Sequence, residues 1–215
     1  MASALSSQLL SKLNWKIQRE PGSLSTGIGD VDALIEGCPR GRITEIAGPV
    51  SSGRTTLLHS ILAEASRLGE FCALVDASNA FDPHTAAAAG VNLKRLVWIR
   101  CGGQAGHALR AADLLIHSGG FGVVAVDLCE LTPRMLSRIP LSYWYRFRRA
   151  IENTPCALVL LNREPQVKAC ASVLVEMKRE RSVFAGTTPL LRQAEFTAMP
   201  GKPVLSRTAR FTAEI

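Results

Sequence analysis

Five apolar runs of strand length recur between residues 42 and 162, and they limit the folds that this chain can adopt. The runs are RITEIAG, FCALVDA, LVWIRC, FGVVAVDL and CALVLLN, and segments of helical character separate them. Strands that are apolar throughout and alternate with helices are typical of a parallel sheet whose two faces are both covered. We therefore expect an α/β fold with a mostly parallel central sheet flanked by helices.

The C-terminal segment follows a different pattern. SVLVEMKRER, LRQAEFTAM and SRTARFTAEI alternate apolar and polar residues, and the turn sequence PGKP lies between the last two. This alternation predicts antiparallel edge strands at the C-terminal end of the sheet.

The N-terminal segment is expected to form a helical arm. Apolar residues recur every four positions from Leu5 to Ile17 and would form one stripe on a helix, which Pro21 and Gly22 would end. The chain is accordingly divided into this arm, residues 1–22, and a core domain, residues 23–215. The stripe would dock either on the core itself or on a neighbouring subunit or partner.

Composition argues against several classes of protein. The chain is 47% hydrophobic and 20% charged, which is typical of soluble globular proteins. Its apolar runs are far shorter than the roughly 20 residues of a membrane-spanning helix, and the N-terminus lacks the order of a signal peptide. A cytoplasmic location is the expectation.

The six cysteines form no C-x-x-C pair and share no ligand spacing with the four histidines, so we expect buried thiols rather than a metal cluster.

Positive charge is concentrated in the later part of the chain. Residues 1–131 contain 11 Lys and Arg against 12 Asp and Glu, whereas residues 132–215 contain 14 against 6, a net charge of +8. Such a concentration suits a polyanion or an acidic partner. Scattered arginines that only keep the protein soluble are the alternative.

The segment GPVSSGRTT, residues 48–56, predicts a phosphate-binding loop. It follows a strand and precedes a helix, as the pattern G-x-x-x-x-G-K-[ST] requires. Glycines permit the tight curve that points amide hydrogens at phosphate oxygens, and the N-terminus of the helix also favours an anion. Arg54 stands where the pattern has lysine, and a planar guanidinium does not simply replace a compact ammonium. The nucleotide-binding candidates in this loop are Gly48, Ser51, Ser52, Gly53, Arg54, Thr55 and Thr56.

Two of the polar residues are candidates for Mg²⁺ binding when a nucleotide is present. Thr55 follows the loop, and Asp127 ends the apolar strand FGVVAVDL, where phosphate-loop proteins place a magnesium-binding carboxylate. A carboxylate at a strand end that merely caps a helix is the alternative for Asp127.

Three longer stretches resemble the core of the RecA recombinases. They are STGIGDVDALIEGCPRGRITEIAGPVSSGRTTLL, CALVDASNAFDPHTAAAAGVNLKRLVWI and VVAVDLCELTPR, and they match in order and nearly in spacing over roughly residues 25–174. The resemblance implies a RecA-like P-loop core with ATP or ADP and Mg²⁺ as cofactors. It also implies that Asp82 contacts the adenine.

The chain departs from the RecA recombinases at the positions that carry hydrolysis. Ser78 stands where the family has the glutamate that activates water, and a serine cannot act as a carboxylate base. Arg163, next to the retained Asn162, stands where a glutamine senses the γ-phosphate, and Thr85 replaces the tyrosine that stacks on adenine. Together with Arg54, these changes predict a nucleotide-binding protein that is not an efficient ATPase.

The parts that would face DNA are also reduced. Only about REPQVKAC follows the strand ending in Asn162, which is too short for the mobile DNA loop of the recombinases, so strand exchange is not expected. In LSYWYRFRRAIEN, one helical face contains Trp144, either Phe147 or Arg148, and Ile151, so part of this aromatic cluster should pack on the sheet. The remaining candidates for binding DNA or a partner are Arg134, Arg138, Arg146, Arg149, Lys178, Arg179 and Arg181.

A short, degenerate RecA-like core of this kind resembles the ImuA family of bacterial mutasome accessory proteins. That resemblance implies a scaffold in DNA-damage-induced (SOS) translesion synthesis. The implied partners are an ImuB-like inactive Y-family polymerase homologue, an error-prone DNA polymerase, RecA, single-stranded DNA and further copies of the chain itself. Two alternatives stay open. One is an active DNA-stimulated ATPase that uses Glu45 or Glu130 as its base, and the other is an SOS cell-division inhibitor or other regulator on the same fold.

Overall fold

An eight-stranded sheet forms the centre of the computed structural model, which describes residues 22–185, 190–204 and 206–214. Two short strands, β1 (Ser23–Leu24) and β2 (Cys38–Pro39), pair with each other outside it. The strands of the main sheet are β3 (Ile43–Ala47), β4 (Phe71–Asp76), β5 (Leu96–Arg100), β6 (Phe121–Asp127), β7 (Ala157–Asn162), β8 (Val173–Ala185), β9 (Leu190–Lys202) and β10 (Ala209–Glu214).

The order of the strands across the sheet is β10–β9–β8–β3–β7–β6–β4–β5. All neighbours from β8 to β5 are parallel, and only the β8–β9 and β9–β10 pairs are antiparallel. The mostly parallel sheet of the α/β class is therefore confirmed, because the five apolar runs form five consecutive parallel strands, with β5 at the edge of the sheet.

Helices cover both faces of the sheet. The helices are α1 (Gly29–Ile35), α2 (Arg54–Arg67), α3 (Pro83–Ala88), α4 (Ala105–Ser118), α5 (Pro133–Leu136) and α6 (Leu141–Ile151), with a 3₁₀ turn at Leu93–Arg95. One core lies between the sheet and α1 to α3, and a second lies between the sheet and α4 to α6. Among the described residues, no helix has both the length and the apolarity to cross a membrane. The predicted arm, residues 1–22, lies outside the described residues except for Gly22.

Two expectations about side-chain burial are confirmed. Trp144, Phe147 and Ile151 are buried on the sheet-facing side of α6, as the helical spacing predicted. The six cysteines are buried free thiols. Apolar side chains at helical spacing thus provide much of the second core.

The prediction of three antiparallel edge strands was wrong for the first of them. β8 pairs in parallel with β3, from Thr44↔Val173 to Ala47↔Glu176, and pairs antiparallel with β9 on its other side. Its first residues are apolar on both faces and fully covered, which suits an interior strand. Apolar and polar residues alternate only farther along β8. That alternation led to an edge strand being predicted for the whole segment, although its first residues are interior.

A buried carboxylate lies at the centre of the sheet. Glu45 on β3 is fully buried, and its Oε1 accepts hydrogen bonds from Asn162 Nδ2 at 2.9 Å and from the backbone N–H groups of Gln166 at 2.6 Å and Val167 at 3.2 Å. Burial raises the pKa of Glu45 above its ordinary value, and these donors oppose the rise. The carboxylate thereby holds the segment that leads from β7 to β8 past β3.

Glu45→Ala is expected to destabilise the fold by about 3 kcal/mol or more, because three buried donors lose their acceptor. Glu45→Gln keeps one carbonyl oxygen and should cost clearly less. Urea unfolding followed by circular dichroism measures both variants. Glu152→Ala, which removes an exposed carboxylate, is the control and should change stability by about 0.5 kcal/mol or less. Equal stability of the alanine and glutamine variants would contradict this role of Glu45.

Candidate nucleotide-binding site

The glycine-serine loop, residues 48–53, connects the carboxyl end of β3 with the N-terminus of α2. Gly48 lies so close to β8 that a Cβ atom there would clash with the carbonyl oxygen of Met177. Gly53 has a φ of +88°, and a Cβ atom there would be 2.6 Å from the ring of Phe196 on β9. Both positions therefore require glycine, and the loop is packed against β8 and β9.

The N-terminus of α2 presents donors that suit an oxyanion. The N-cap residue, Gly53, provides no side-chain cap, so the first amide groups of the helix keep their capacity for a ligand. Ser52 is fully buried, and its Oγ has no hydrogen-bond partner among the described residues. These are features that a bound phosphate group would satisfy.

A cavity of about 230 Å³ lies next to the glycine-serine loop. Residues 51–56 form one side of it, and Arg179, Leu191, Ala194 and Phe196 form the other. Sequence reasoning missed Leu191 and Phe196 at this site and placed Arg179 among the DNA or partner candidates. Binding pockets for whole small molecules usually exceed about 300 Å³, so this cavity fits the phosphate part of a nucleotide rather than all of it.

The side chain of Arg54 forms a hydrogen bond inside the fold. Its side chain is buried, and Nη1 donates a hydrogen bond of 2.8 Å to the carbonyl oxygen of Asn162 at the end of β7. Burial raises the pKa of Asp127 above its ordinary value, and the positive charge of Arg54 opposes this rise only weakly. The residue at the position of the pattern's lysine therefore already has partners in the protein.

Asp127 ends β6 beside Asp76, with which it is in register across β4 and β6. Its Oδ1 accepts a hydrogen bond of 2.9 Å from the N–H of Cys129, so the carboxylate orders the turn after the strand. Burial raises the pKa of Asp127, and the nearby charge of Asp76 acts in the same direction. Within the described ranges, no group of three or more His, Cys, Asp or Glu residues has a geometry that could hold a metal ion. The assignment of Mg²⁺ to Thr55 and Asp127 stays a prediction.

The residues after β4 are held by local hydrogen bonds. Asp76 accepts hydrogen bonds from the N–H groups of Ser78 at 3.2 Å and Phe81 at 3.0 Å, which orders the loop that contains Ser78. Asp82 is exposed and caps α3 by accepting from the N–H groups of His84 and Thr85 and from the Thr85 hydroxyl. Its carboxylate thus has a structural use, and the adenine contact stays a prediction.

Asn162 and Arg163 connect neighbouring strand ends. Asn162 is fully buried and donates to Glu45. Arg163 Nε donates to the carbonyl oxygen of Cys129 at 2.7 Å, and its Nη2 forms an ion pair with Glu130 at 2.6 Å. The arginine at the sensor position therefore ties the end of β7 to the turn after β6.

The basic candidates occupy two separate parts of the fold. Arg134, Arg138 and Arg149 are exposed on and around α5 and α6. Arg146 forms an ion pair of 3.2 Å with Asp113 and lies 4.7 Å from the centre of the Tyr143 ring. The other three are exposed on β8, where Lys178 pairs with Glu180 at 3.6 Å and the neighbours are Arg179 and Arg181.

The comparison with known proteins gives a family match and a curated relative. The model described as RecA N-terminal domain matches residues 7–137, more than half of the chain. Protein RecA of Teredinibacter turnerae (strain ATCC 39867 / T7901) is 47% identical over 115 residues, which are 52% of this chain and 33% of that protein. The chain thus spans about a third of the length of the curated relative that it matches.

Arg54→Ala is expected to lower the free energy of unfolding by about 1–3 kcal/mol at pH 7.5, because the buried carbonyl oxygen of Asn162 loses a donor and Asp127 loses a nearby positive charge. The pKa of Asp127 in the folded state then rises further above its ordinary value of 3.8. A raised folded-state pKa costs stability as the pH rises from the unfolded-state pKa towards the folded-state pKa. The loss should therefore be smaller at pH 5 than at pH 7.5, as measured by urea unfolding at both values.

The control is the same substitution in an Asp127→Asn background. Without the carboxylate, the cost of Arg54→Ala should fall and should vary less between the two pH values. An undiminished cost would show that Arg54 does not act through Asp127.

Proposed function

Because the chain belongs to the RecA family, we propose that it is a member that works by binding and does not hydrolyse ATP efficiently. The observation that carries this proposal is the state of Arg54, which is buried and donates to the carbonyl oxygen of Asn162. A group that balances the γ-phosphate charge during hydrolysis must be available to the ligand. Arg54 would have to give up its internal hydrogen bond to serve in this way.

The two carboxylates that are alternatives to the missing base also have partners within the protein. Glu45 is buried beneath three donors, and Glu130 is paired with Arg163. A general base must reach the attacking water and accept its proton. Glu45 is closed off from an attacking water by burial, the exposed Glu130 is held in an ion pair with Arg163, and Ser78 has no carboxylate, so these contacts support the loss of hydrolysis.

We infer further that the protein is an accessory or scaffold protein of SOS translesion synthesis. The segment between β7 and β8 supports a role without strand exchange, because Val167, Cys170 and Ala171 pack it into the second core. A packed segment does not extend along single-stranded DNA. The proposed partners are an ImuB-like polymerase homologue, an error-prone DNA polymerase and RecA, with single-stranded DNA bound through the exposed arginines.

The full chain with Mg²⁺ is expected to release phosphate from ATP no faster than its Asp127→Asn variant, with or without single-stranded DNA. The physical reason is the absence of a carboxylate base at Ser78. A phosphate-release assay measures the rate, and an active ATPase in the same assay is the positive control. Turnover that Asp127→Asn abolishes would overturn the proposed loss of hydrolysis.

Arg149→Ala is expected to weaken binding of single-stranded DNA several-fold at low salt and to reduce the salt slope by about 0.7 for each lost phosphate contact. Arg149 is exposed on α6, one helical turn from the exposed Arg146, so the two cations lie on the same side of the helix. Fluorescence anisotropy over a salt series measures both quantities. Lys94→Ala, which removes an exposed cation next to β5, is the matched control. Equal effects of the two substitutions, or no DNA binding at all, would contradict a DNA-binding role for this surface.

A further inference from the structure

The antiparallel pair of β8 and β9 extends past the end of β3. Ala47, the last residue of β3, pairs with Glu176, and β8 continues from there to Ala185. The glycine-serine loop begins at the same end of β3, so the extended part of β8 and β9 lies beside the loop. This part of the fold brings residues from the C-terminal strands to the candidate site.

Arg179 belongs to the part of this pair that faces the loop. It is opposite Phe196 in the antiparallel register, so the two side chains project from the same face of the sheet. Phe196 contacts the loop at Gly53, where its ring would be 2.6 Å from an added Cβ atom. Arg179 is therefore held near the loop by the packing of its cross-strand neighbour, and both residues line the 230 Å³ cavity.

The two arginines of the cavity differ in their availability. Arg54 is buried and donates to a backbone carbonyl, whereas Arg179 is exposed. Among the described residues, Arg179 has no ion-pair partner, while Lys178 next to it pairs with Glu180. Arg179 is thus the cation of the cavity wall that a ligand can engage without breaking an internal contact.

We propose that Arg179 is the residue on which the affinity of this cavity for the two phosphates of a pyrophosphate group depends. Donors lie on two sides: the amides at the start of α2 and the buried, unpartnered Ser52 Oγ on one, and the Arg179 guanidinium on the other. A group with two phosphates can contact both sides, and a guanidinium fork matches phosphate oxygens. This inference rests on the proposed function, in which the site binds without hydrolysis.

A second cavity favours a nucleotide as the source of the pyrophosphate. It has a volume of about 380 Å³, shares Thr56 with the first cavity, and is lined by Gly27, Ser60, Ala89 and Phe211 among others. A nucleoside attached to the bound phosphates would fit there, and since the lining does not include Asp82, this placement replaces the adenine contact predicted for Asp82. ADP should therefore bind more tightly than inorganic pyrophosphate, although both should depend on Arg179.

Isothermal titration calorimetry of the full chain with ADP and with inorganic pyrophosphate tests this role of Arg179. Arg179→Ala is expected to weaken both ligands by about tenfold or more. Arg179→Lys should give an intermediate loss, because lysine keeps the charge but not the fork. The matched control is Arg181→Ala, which removes the same charge two residues along β8, outside the cavity, and should stay within about twofold of the unaltered protein.

Each outcome has a definite meaning. If Arg179→Ala binds like Arg181→Ala, Arg179 does not determine affinity, and a role in DNA or partner binding replaces the proposed one. If the unaltered protein binds neither ligand, the pyrophosphate site is excluded while the proposed lack of hydrolysis still stands. ATP turnover would instead overturn the proposed function, but the difference in affinity between Arg179→Ala and Arg181→Ala would still test the role of Arg179. If Arg179→Ala does not fold, the lysine variant decides between these outcomes.

Discussion

The buried carboxylate of Glu45 is the contact on which the arrangement of the candidate site depends. It lies on β3, whose end begins the glycine-serine loop, and it fixes both Asn162 and the segment that leads to β8. The carbonyl oxygen of Asn162 in turn accepts a hydrogen bond from Arg54. Arg179 reaches the cavity from β8. A carboxylate is costly to bury, and the three donors around Glu45 offset that cost. Glu45 therefore joins the strand that begins the loop, the end of β7 and the segment that leads to β8, because one carboxylate accepts hydrogen bonds from both of the latter.

The central strands, the helices and the buried face of α6 follow from the sequence, because continuous apolar runs and helical spacing report directly on burial. The neighbours of β8 do not follow from it, since an apolar strand fits several positions in a parallel sheet. The contacts of Phe196 with Gly53 could not be predicted either. They join segments far apart in the chain, and nothing in the alternation of β9 indicates which loop its apolar face will cover.

The two arginines among the replaced residues of the site share a physical feature, which is that each has a hydrogen-bond or ion-pair partner inside the protein. Arg54 donates to Asn162, and Arg163 pairs with Glu130. The retained Asp82 caps α3. The sequence shows which residue types changed, but only the structure shows that their charges and donors are already satisfied. A ligand gains little from such groups, because each new contact must replace an existing one. Arg179 is different, since its guanidinium is exposed and can donate hydrogen bonds to a binding partner without losing an internal contact.

The ring of Phe196 links two distant parts of the fold. One side of it touches the loop at Gly53, and its centre lies 5.5 Å from that of Phe211 on β10. The same ring therefore packs against both the loop and the edge strand of the sheet. Because its φ of +88° restricts residue 53 to glycine, any change in this contact has to come from position 196, and a smaller residue there would leave both the loop and Phe211 without this packing partner. The C-terminal edge of the sheet is therefore tied to a loop whose own shape cannot adapt to it.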